Sequence, residues 1–252
     1  MANDILRVQD VHISFAEERK SFLEKRKIRE VLKGVSFTMR EGEVLGLVGE
    51  SGCGKSTLAK AILGLSHPDK GNIEHFSEHP QMVFQDPYGS LNPAKKIGWI
   101  LEEPLRIKGG FTPQERREKA LAMLKKVGLE ETIADRYPNQ LSGGQRQRVC
   151  IGAALMLSPK LLIADEAVSA LDVTIQAQIL ELLLSLKEEM GLAILFISHD
   201  MRVVYQMSDR VIIMKDGEIV ERGDVDSVYF NPQHPYTRTL LEAAGIIEDE
   251  ER

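Results

Sequence analysis

The chain is poor in cysteine and in long apolar runs, and each shortage excludes a class of protein. The two cysteines, Cys53 and Cys150, lie too far apart for a compact disulfide framework, so we expect a reducing, cytoplasmic compartment. No apolar run approaches the ~18 residues of a membrane span. The N-terminus lacks the basic and then apolar pattern of a secretory signal. Any membrane role must therefore come through a partner.

Neither the charge nor the composition points to a nucleic-acid binder. The net charge of −6 weighs against a dedicated one, whose binding domain is usually basic. Residues 16–30 are rich in charge, which fits either a solvated hairpin loop or a basic surface for lipid headgroups or nucleic acid. We favour the loop, because acidic side chains are interspersed with the basic ones. With 43% hydrophobic residues and no internal repeat, the chain can form a large α/β core.

Apolar periodicity predicts strands that alternate with helices, which is typical of a largely parallel sheet. The predicted strands are residues 5–15, 31–39, 44–48, 83–84, 161–164 and 193–197, followed by a hairpin over 211–220. Residues 66–80 are polar and predict a surface loop. The histidines His67, His75 and His79 in that segment offer a metal site as the alternative, although no clear ligand spacing supports it.

Capping residues predict where two of the helices begin and end. Thr112 and Glu115 form a capping box with a proline at the first helical position, so we expect a helix over 113–127 that Gly128 ends. An amphipathic pattern predicts another helix over 174–190, ended by Gly191. Residues 87–158 as a whole predict a helical insertion between strands.

A glycine-rich loop joins the predicted strand 44–48 to a helix that follows it. Its nine residues match the phosphate-binding pattern G-x-x-x-x-G-K-[ST] and are Gly49, Glu50, Ser51, Gly52, Cys53, Gly54, Lys55, Ser56 and Thr57. Backbone N–H groups of such a loop surround a β-phosphate, and Lys55 supplies a charge between the β- and γ-phosphates. The Ser56 hydroxyl can ligate Mg²⁺. The loop alone leaves kinases, GTPases and motor ATPases open.

Two acidic residues follow the apolar strand 161–164. Asp165 stands where a carboxylate can hold Mg²⁺ through water, and Glu166 can polarise an attacking water as a general base.

A second glycine motif makes the resemblance to a family specific. Leu141, Ser142, Gly143, Gly144 and Gln145 precede a basic run and a helix that Pro159 ends. Ser142 suits the N-cap, and the glycines permit close backbone approach. The motif resembles the signature of ATP-binding-cassette (ABC) ATPases. The resemblance implies a head-to-tail dimer in which the signature of each chain closes on an ATP molecule held by the other.

The same resemblance implies roles for further residues. Gln85 is similar to the glutamine that senses Mg²⁺ and the attacking water, and His199 to the switch histidine that contacts the γ-phosphate. Asp172 lies in a segment similar to the loop that crosses between the paired sites. Phe15 is the best candidate to stack on adenine, with Phe22 second, since stacking needs only a π-face.

The implied fold is an α/β P-loop NTPase of ABC type, with a mostly parallel core sheet, an antiparallel β subdomain and a helical subdomain. We expect one domain over residues 1–252. Residues 1–86 and 159–245 form the core with the β subdomain, 87–158 the helical signature subdomain, and 246–252 a tail.

Three segments are similar to the branch of the family that imports peptides and nickel: residues 81–93, residues 165–173, and the tail Asn231, Pro232, Gln233, His234, Pro235, Tyr236, Thr237 and Arg238. This resemblance implies ATP and Mg²⁺ as cofactors and a peripheral position on the cytoplasmic face of the membrane. The implied partners are a second and usually different ATPase chain, two membrane permease subunits and, indirectly, an extracytoplasmic solute-binding protein. The rivals are a soluble ATPase acting on nucleic acid or ribosomes and a regulatory module without turnover.

Overall fold

The computed structural model describes residues 3–16, 28–78, 80–169 and 171–247. Strands in this part of the chain are β1 (Asp4–Ala16), β2 (Ile28–Arg40), β3 (Val44–Val48), β4 (Lys70–His75), β5 (Gln81–Val83), β6 (Leu161–Asp165), β7 (Ala193–Ser198), β8 (Arg210–Lys215) and β9 (Glu218–Asp224). Its α-helices are α1 (Lys55–Ile62), α2 (Pro87–Ser90), α3 (Ile97–Lys108), α4 (Pro113–Lys126), α5 (Gly143–Leu155), α6 (Val173–Met190), α7 (Met201–Met207), α8 (Val225–Phe230) and α9 (Pro235–Ala243).

By its internal contacts the chain divides into two compact units. The first comprises residues 1–77 and 193–252, and the second residues 78–192. The predicted single domain and its subdomain boundaries stay a prediction. Among the described helices, none combines the length and the apolar character that a bilayer crossing requires.

The first unit contains two kinds of sheet. β2, β1 and β4 form an antiparallel sheet in that order, and β3 pairs in parallel with both β7 and β8. β9 joins the edge of β8 as an antiparallel strand through a tight turn, which confirms the predicted hairpin. β3 and β7 are buried along their whole length, as expected for parallel strands covered on both faces. The phosphate loop follows β3 and His199 follows β7, so both start from buried strand ends.

The prediction for residues 66–80 is partly wrong. Within the supposed loop, β4 (Lys70–His75) pairs with β1 and completes the antiparallel sheet. Its sequence shows no clean apolar alternation, because the strand is an edge strand whose side chains are mostly exposed. His79, one of the three histidines considered for a metal site, lies outside the described residues. Most of the charged segment 16–30 lies outside them as well.

The second unit is mainly helical, as predicted for residues 87–158. Its two short strands, β5 and β6, pair in parallel. Thr112 caps α4 through the predicted capping box, and Gly128 follows the helix end with a φ of +72°. α6 ends at Gly191, whose φ of +63° is also in the left-handed region that favours glycine. No local signal in the sequence predicts α3 as a separate helix, and Pro104 lies inside it.

Candidate functional site

The predicted phosphate loop connects β3 to α1 in the first unit. α1 begins at Lys55, directly after Gly54, whose φ of +110° an L side chain rarely adopts. Among the described residues, no side chain makes a cap hydrogen bond at this helix start. The N–H groups of the first helical turn therefore keep their capacity to bind an anion.

The Lys55 ammonium is buried inside the loop. It donates hydrogen bonds to the carbonyl oxygens of Gly49 at 2.6 Å and of Glu50 at 3.0 Å. A Cβ atom at Gly49 would overlap the Met214 carbonyl oxygen, so the packing of β8 against the loop requires glycine there. The two hydrogen bonds hold the Lys55 ammonium within the loop that is predicted to bind the phosphate groups.

His199 follows directly on β7 in the same unit. Val48 and Ser198 are register partners in the parallel pair, so the residues after them, Gly49 and His199, start from neighbouring strand ends. Asp200 accepts the N–H of Arg202 at 2.9 Å and caps α7, which fixes the backbone beside the histidine. The structure thus brings the predicted switch histidine and the phosphate loop to one sheet edge.

In the second unit, the ends of β5 and β6 carry Gln85 and Glu166. Val83 and Ala164 are register partners, and each predicted residue lies two positions beyond them. The Gln85 side-chain amide donates a hydrogen bond of 2.9 Å to the Glu166 carboxylate. This contact fixes the orientation of the carboxylate that is the predicted general base.

Glu166 also has a strained backbone. Its φ is +47°, which is uncommon outside glycine. The Ser169 N–H and hydroxyl both donate to the Glu166 carbonyl oxygen, at 3.1 and 3.0 Å, and stabilise this turn. The preceding residue, Asp165, is a buried carboxylate at the last position of β6. Two carboxylates thus stand in fixed positions at the end of one strand.

The predicted signature motif caps α5. The Ser142 hydroxyl accepts the Gln145 N–H at 3.3 Å, and the Gln145 side chain accepts the Ser142 N–H at 3.0 Å. The predicted N-cap is therefore confirmed. A Cβ at Gly144 would lie 2.7 Å from Cγ2 of Ile175 in α6, while Gly143 has only Leu171 nearby. Close backbone approach at Gly144 therefore serves packing between α5 and α6.

Asp172 caps α6 by accepting the Ile175 N–H at 3.0 Å. In the segment predicted to cross between paired sites, Ala170 lies outside the described residues. Phe15 is 48% exposed near the end of β1, which leaves a face for stacking. Phe22, the second candidate for the adenine contact, lies outside the described residues.

Both cysteines are free, buried thiols. Burial raises the pKa of Cys53 above its ordinary value and that of Cys150 to about 12. The thiols therefore stay protonated at neutral pH, which opposes a nucleophilic or metal-binding role for either.

Within the described ranges, no group of three or more His, Cys, Asp or Glu side chains could hold a metal ion by itself. Mg²⁺ that is bound with a nucleotide needs only one or two protein ligands, because it keeps waters and phosphate oxygens. The hydroxyl of Ser56 and the carboxylate of Asp165 are hard oxygen donors of the required kind.

Comparisons with a family model, with curated proteins and with solved structures all match this chain to ATP-binding cassettes of ABC type. The family model for ABC transporters matches residues 32–169. The chain is 44% identical to the dipeptide transport ATP-binding protein DppF of Escherichia coli, over 98% of this chain and 78% of that protein. It is 48% identical to the oligopeptide transport ATP-binding protein OppF of the same organism, over 94% of this chain and 75% of that protein.

A solved structure is similar over most of the chain. The ATP-binding cassette MJ0796, described as a dimer in a post-hydrolysis state bound to ADP and Pi, matches with a TM-score of 0.76 and 32% identity. The match covers 87% of this chain and 98% of that one. The predicted fold class is thereby confirmed, and the chain belongs to the ABC transporter family as an ATP-binding, ATP-hydrolysing cassette.

Proposed function

We propose that this chain hydrolyses ATP with Mg²⁺ to energise the import of peptides through membrane permease subunits. The observation that carries the hydrolytic part is the hydrogen bond of 2.9 Å between Gln85 and Glu166, which orients a carboxylate at the end of a strand. The relatives DppF and OppF, named for dipeptide and oligopeptide transport, support the peptide part.

The phosphate loop binds the nucleotide in this proposal. Its backbone N–H groups and the start of α1 receive the β-phosphate, and the Lys55 ammonium turns from the loop carbonyls to the β- and γ-phosphate oxygens. Phe15 stacks on the adenine. Ser56, Asp165 and Gln85 would hold Mg²⁺, which when bound would neutralise charge on the phosphates.

Glu166 acts as the general base of hydrolysis. Its carboxylate takes a proton from a water whose oxygen bonds to the γ-phosphorus, while the bond to the bridging β–γ oxygen breaks and ADP keeps that electron pair. His199 contacts the γ-phosphate and stabilises its charge. Gln85 holds the base in place and links it to the segment that follows β5.

A second ATPase chain completes each site. We assign Ser142, Gly143, Gly144 and Gln145, together with Asp172, to contacts with nucleotide held by the partner chain. The start of α5 offers N–H groups to an anion, and Ser142 is exposed there. Dimeric structures of the cassette MJ0796 support this pairing. The partner is a different chain in the working importer, and a homodimer can form in isolation.

A groove in the second unit is the candidate site for the permease contact. It has a volume of about 250 Å³, and its lining includes Phe84, Leu91, Ile100 and Pro104. Phe84 is 44% exposed and so is available to a partner, whereas Leu91 is buried and packs in the core. We propose that a short cytoplasmic helix of the permease docks here, which places the chain on the cytoplasmic face of the membrane.

The test is purification of the tagged chain from cells that co-express the neighbouring permease and ATPase genes. We expect a complex whose Mg²⁺-dependent ATP hydrolysis rises when the solute-binding protein is added with peptide. Binding to DNA or ribosomes, with no permease in the purified material and hydrolysis stimulated by the nucleic acid, would overturn the proposal in favour of the rival function.

A further inference from the structure

A tyrosine near the end of the chain contacts the phosphate loop. Tyr236 is buried at the start of α9, and its hydroxyl oxygen accepts the Glu50 N–H at 3.2 Å. The Glu50 carbonyl oxygen accepts the Lys55 ammonium at 3.0 Å and the Cys53 N–H at 3.3 Å. Glu50 is therefore held through both of its backbone polar groups, one by the loop itself and the other by α9.

The position of Tyr236 is fixed from behind. The His234 ring nitrogen Nδ1 accepts the Tyr236 N–H at 3.1 Å and caps α9. The Glu221 carboxylate, in β9, accepts the N–H groups of Gln233 at 2.7 Å and of His234 at 3.0 Å. These hydrogen bonds attach residues 231–238, the segment that resembles the peptide importer branch, to β9. They thereby position the Tyr236 hydroxyl beside the phosphate loop.

The hairpin of β8 and β9 supports the same place. The Lys215 ammonium lies 4.7 Å from the centre of the Tyr236 ring, within cation–π range. In the turn of this hairpin, the Gly217 N–H donates to the Cys53 carbonyl oxygen at 3.1 Å. Burial raises the pKa of Tyr236, so the hydroxyl stays neutral and can accept the Glu50 N–H without placing a negative charge beside the loop.

We propose that Tyr236 is a positioning residue for the phosphate loop, and that it sets the affinity of this chain for ATP. The inference rests on the proposed function, in which this loop binds ATP. A loop that binds phosphate through backbone N–H groups gains affinity when those groups are already aimed before the ligand arrives. By fixing the first residues of the loop, Tyr236 reduces the ordering that ATP binding would otherwise require.

The experiment compares Tyr236→Phe with Tyr205→Phe in the full chain. The first variant removes one hydroxyl and keeps the ring under Lys215. The matched control removes an exposed hydroxyl that donates to Asp226 at 3.1 Å and not to a residue of the phosphate loop. We expect the Tyr236→Phe variant to show a Kd and a KM for ATP raised about three- to tenfold, the range expected for one lost hydrogen bond. We expect kcat to change less than twofold, because the lost contact serves binding equally in the ground and transition states.

Amide hydrogen exchange gives a second readout that does not depend on turnover. Exchange in the peptide that contains Glu50 should accelerate in Tyr236→Phe and stay unchanged in Tyr205→Phe. A wild-type Kd and KM in the Tyr236→Phe variant would overturn the inference, and so would a lower melting temperature with unchanged ATP affinity. If the wild-type chain itself binds no ATP, the proposed function fails as well, and that result is distinguishable from a failure of the inference alone.

Discussion

The side-chain amide of Gln85 donates a hydrogen bond of 2.9 Å to the carboxylate of Glu166. The two residues follow neighbouring parallel strands and are 81 positions apart in the chain. Gln85 also follows Phe84, which lines the groove that we propose for permease docking. A shift of this strand end on docking would therefore reach Glu166, the proposed general base, through one hydrogen bond. In the proposed function, this contact would link the transport partner to the chemistry of ATP hydrolysis.

Replacing Glu166 by glutamine should separate binding from chemistry. The amide keeps the size of the side chain and loses the proton acceptor, so we expect single-turnover hydrolysis to slow by roughly 10²–10⁴-fold. ATP should still bind, and the ATP-bound dimer should persist longer in sizing experiments. Glu188→Gln is the control, because Glu188 is a highly exposed carboxylate on α6. Wild-type turnover in Glu166→Gln without dimer trapping would contradict the role of general base.

Replacing Lys55 by alanine should remove most of the affinity for ATP and all turnover. The buried ammonium is the only side-chain cation of the phosphate loop, so no neighbouring charge in the motif can replace it. Fluorescent nucleotide binding measures the affinity. Lys60→Ala, an exposed lysine of the same helix, should behave like the wild type. Near-normal hydrolysis by Lys55→Ala would show that the loop is not the nucleotide site.

Gly144→Ala should destabilise the second unit through packing. The new Cβ would lie 2.7 Å from Ile175 Cγ2, and a β-branched side chain has little freedom to move away. We expect a loss of about 1–3 kcal/mol in the free energy of unfolding, measured by denaturant titration. Adding Ile175→Ala should make room, so the double variant should lose less than the sum of the two single losses. Additive losses would show that the clash is relieved elsewhere.

Phe84→Ala should impair assembly with the permease and leave ATP binding intact. Phe84 is an exposed aromatic residue that lines the groove of the second unit, and aromatic anchors often dominate docking energy. Phe76→Ala, at a residue that is 53% exposed in the first unit, is the control. Co-purification with the permease measures the effect.

We also expect Tyr88→Ala to impair assembly, because Tyr88 is an aromatic residue within the segment 81–93 that resembles the importer branch; its side chain lies outside the described part of the structure. Intact assembly in both the Phe84→Ala and the Tyr88→Ala variants, with transport at the wild-type level, would remove the groove from the interface.

Local signals were sufficient for much of the fold. The phosphate loop, the capping box at Thr112 and the glycines after α4 and α6 each specify a backbone conformation through a few adjacent residues. The structure confirms the elements that they predict. Asp165 and Glu166 could also be singled out as candidates, because polar residues that follow an apolar strand are visible in the sequence, whereas the role of His199 is implied by the resemblance to the ABC family.

Other features depend on contacts between distant parts of the chain, which one sequence does not display. β4 forms through backbone hydrogen bonds to β1, although most of its own side chains are polar and do not predict a strand. α3 contains Pro104, whose local preference opposes a helix and is overridden by packing. The contact of Tyr236 with Glu50 spans 186 positions, so the motif around Tyr236 could be recognised without its role.

The proposed function is tested most directly by peptide uptake into proteoliposomes that contain this chain, its partner ATPase and the permease, with the solute-binding protein outside and ATP with Mg²⁺ inside. We expect accumulation of a labelled dipeptide or oligopeptide that requires ATP, and a loss of most of that accumulation when this chain carries Glu166→Gln. Uptake that is independent of ATP, or that continues at the wild-type rate with Glu166→Gln, would contradict the proposed function.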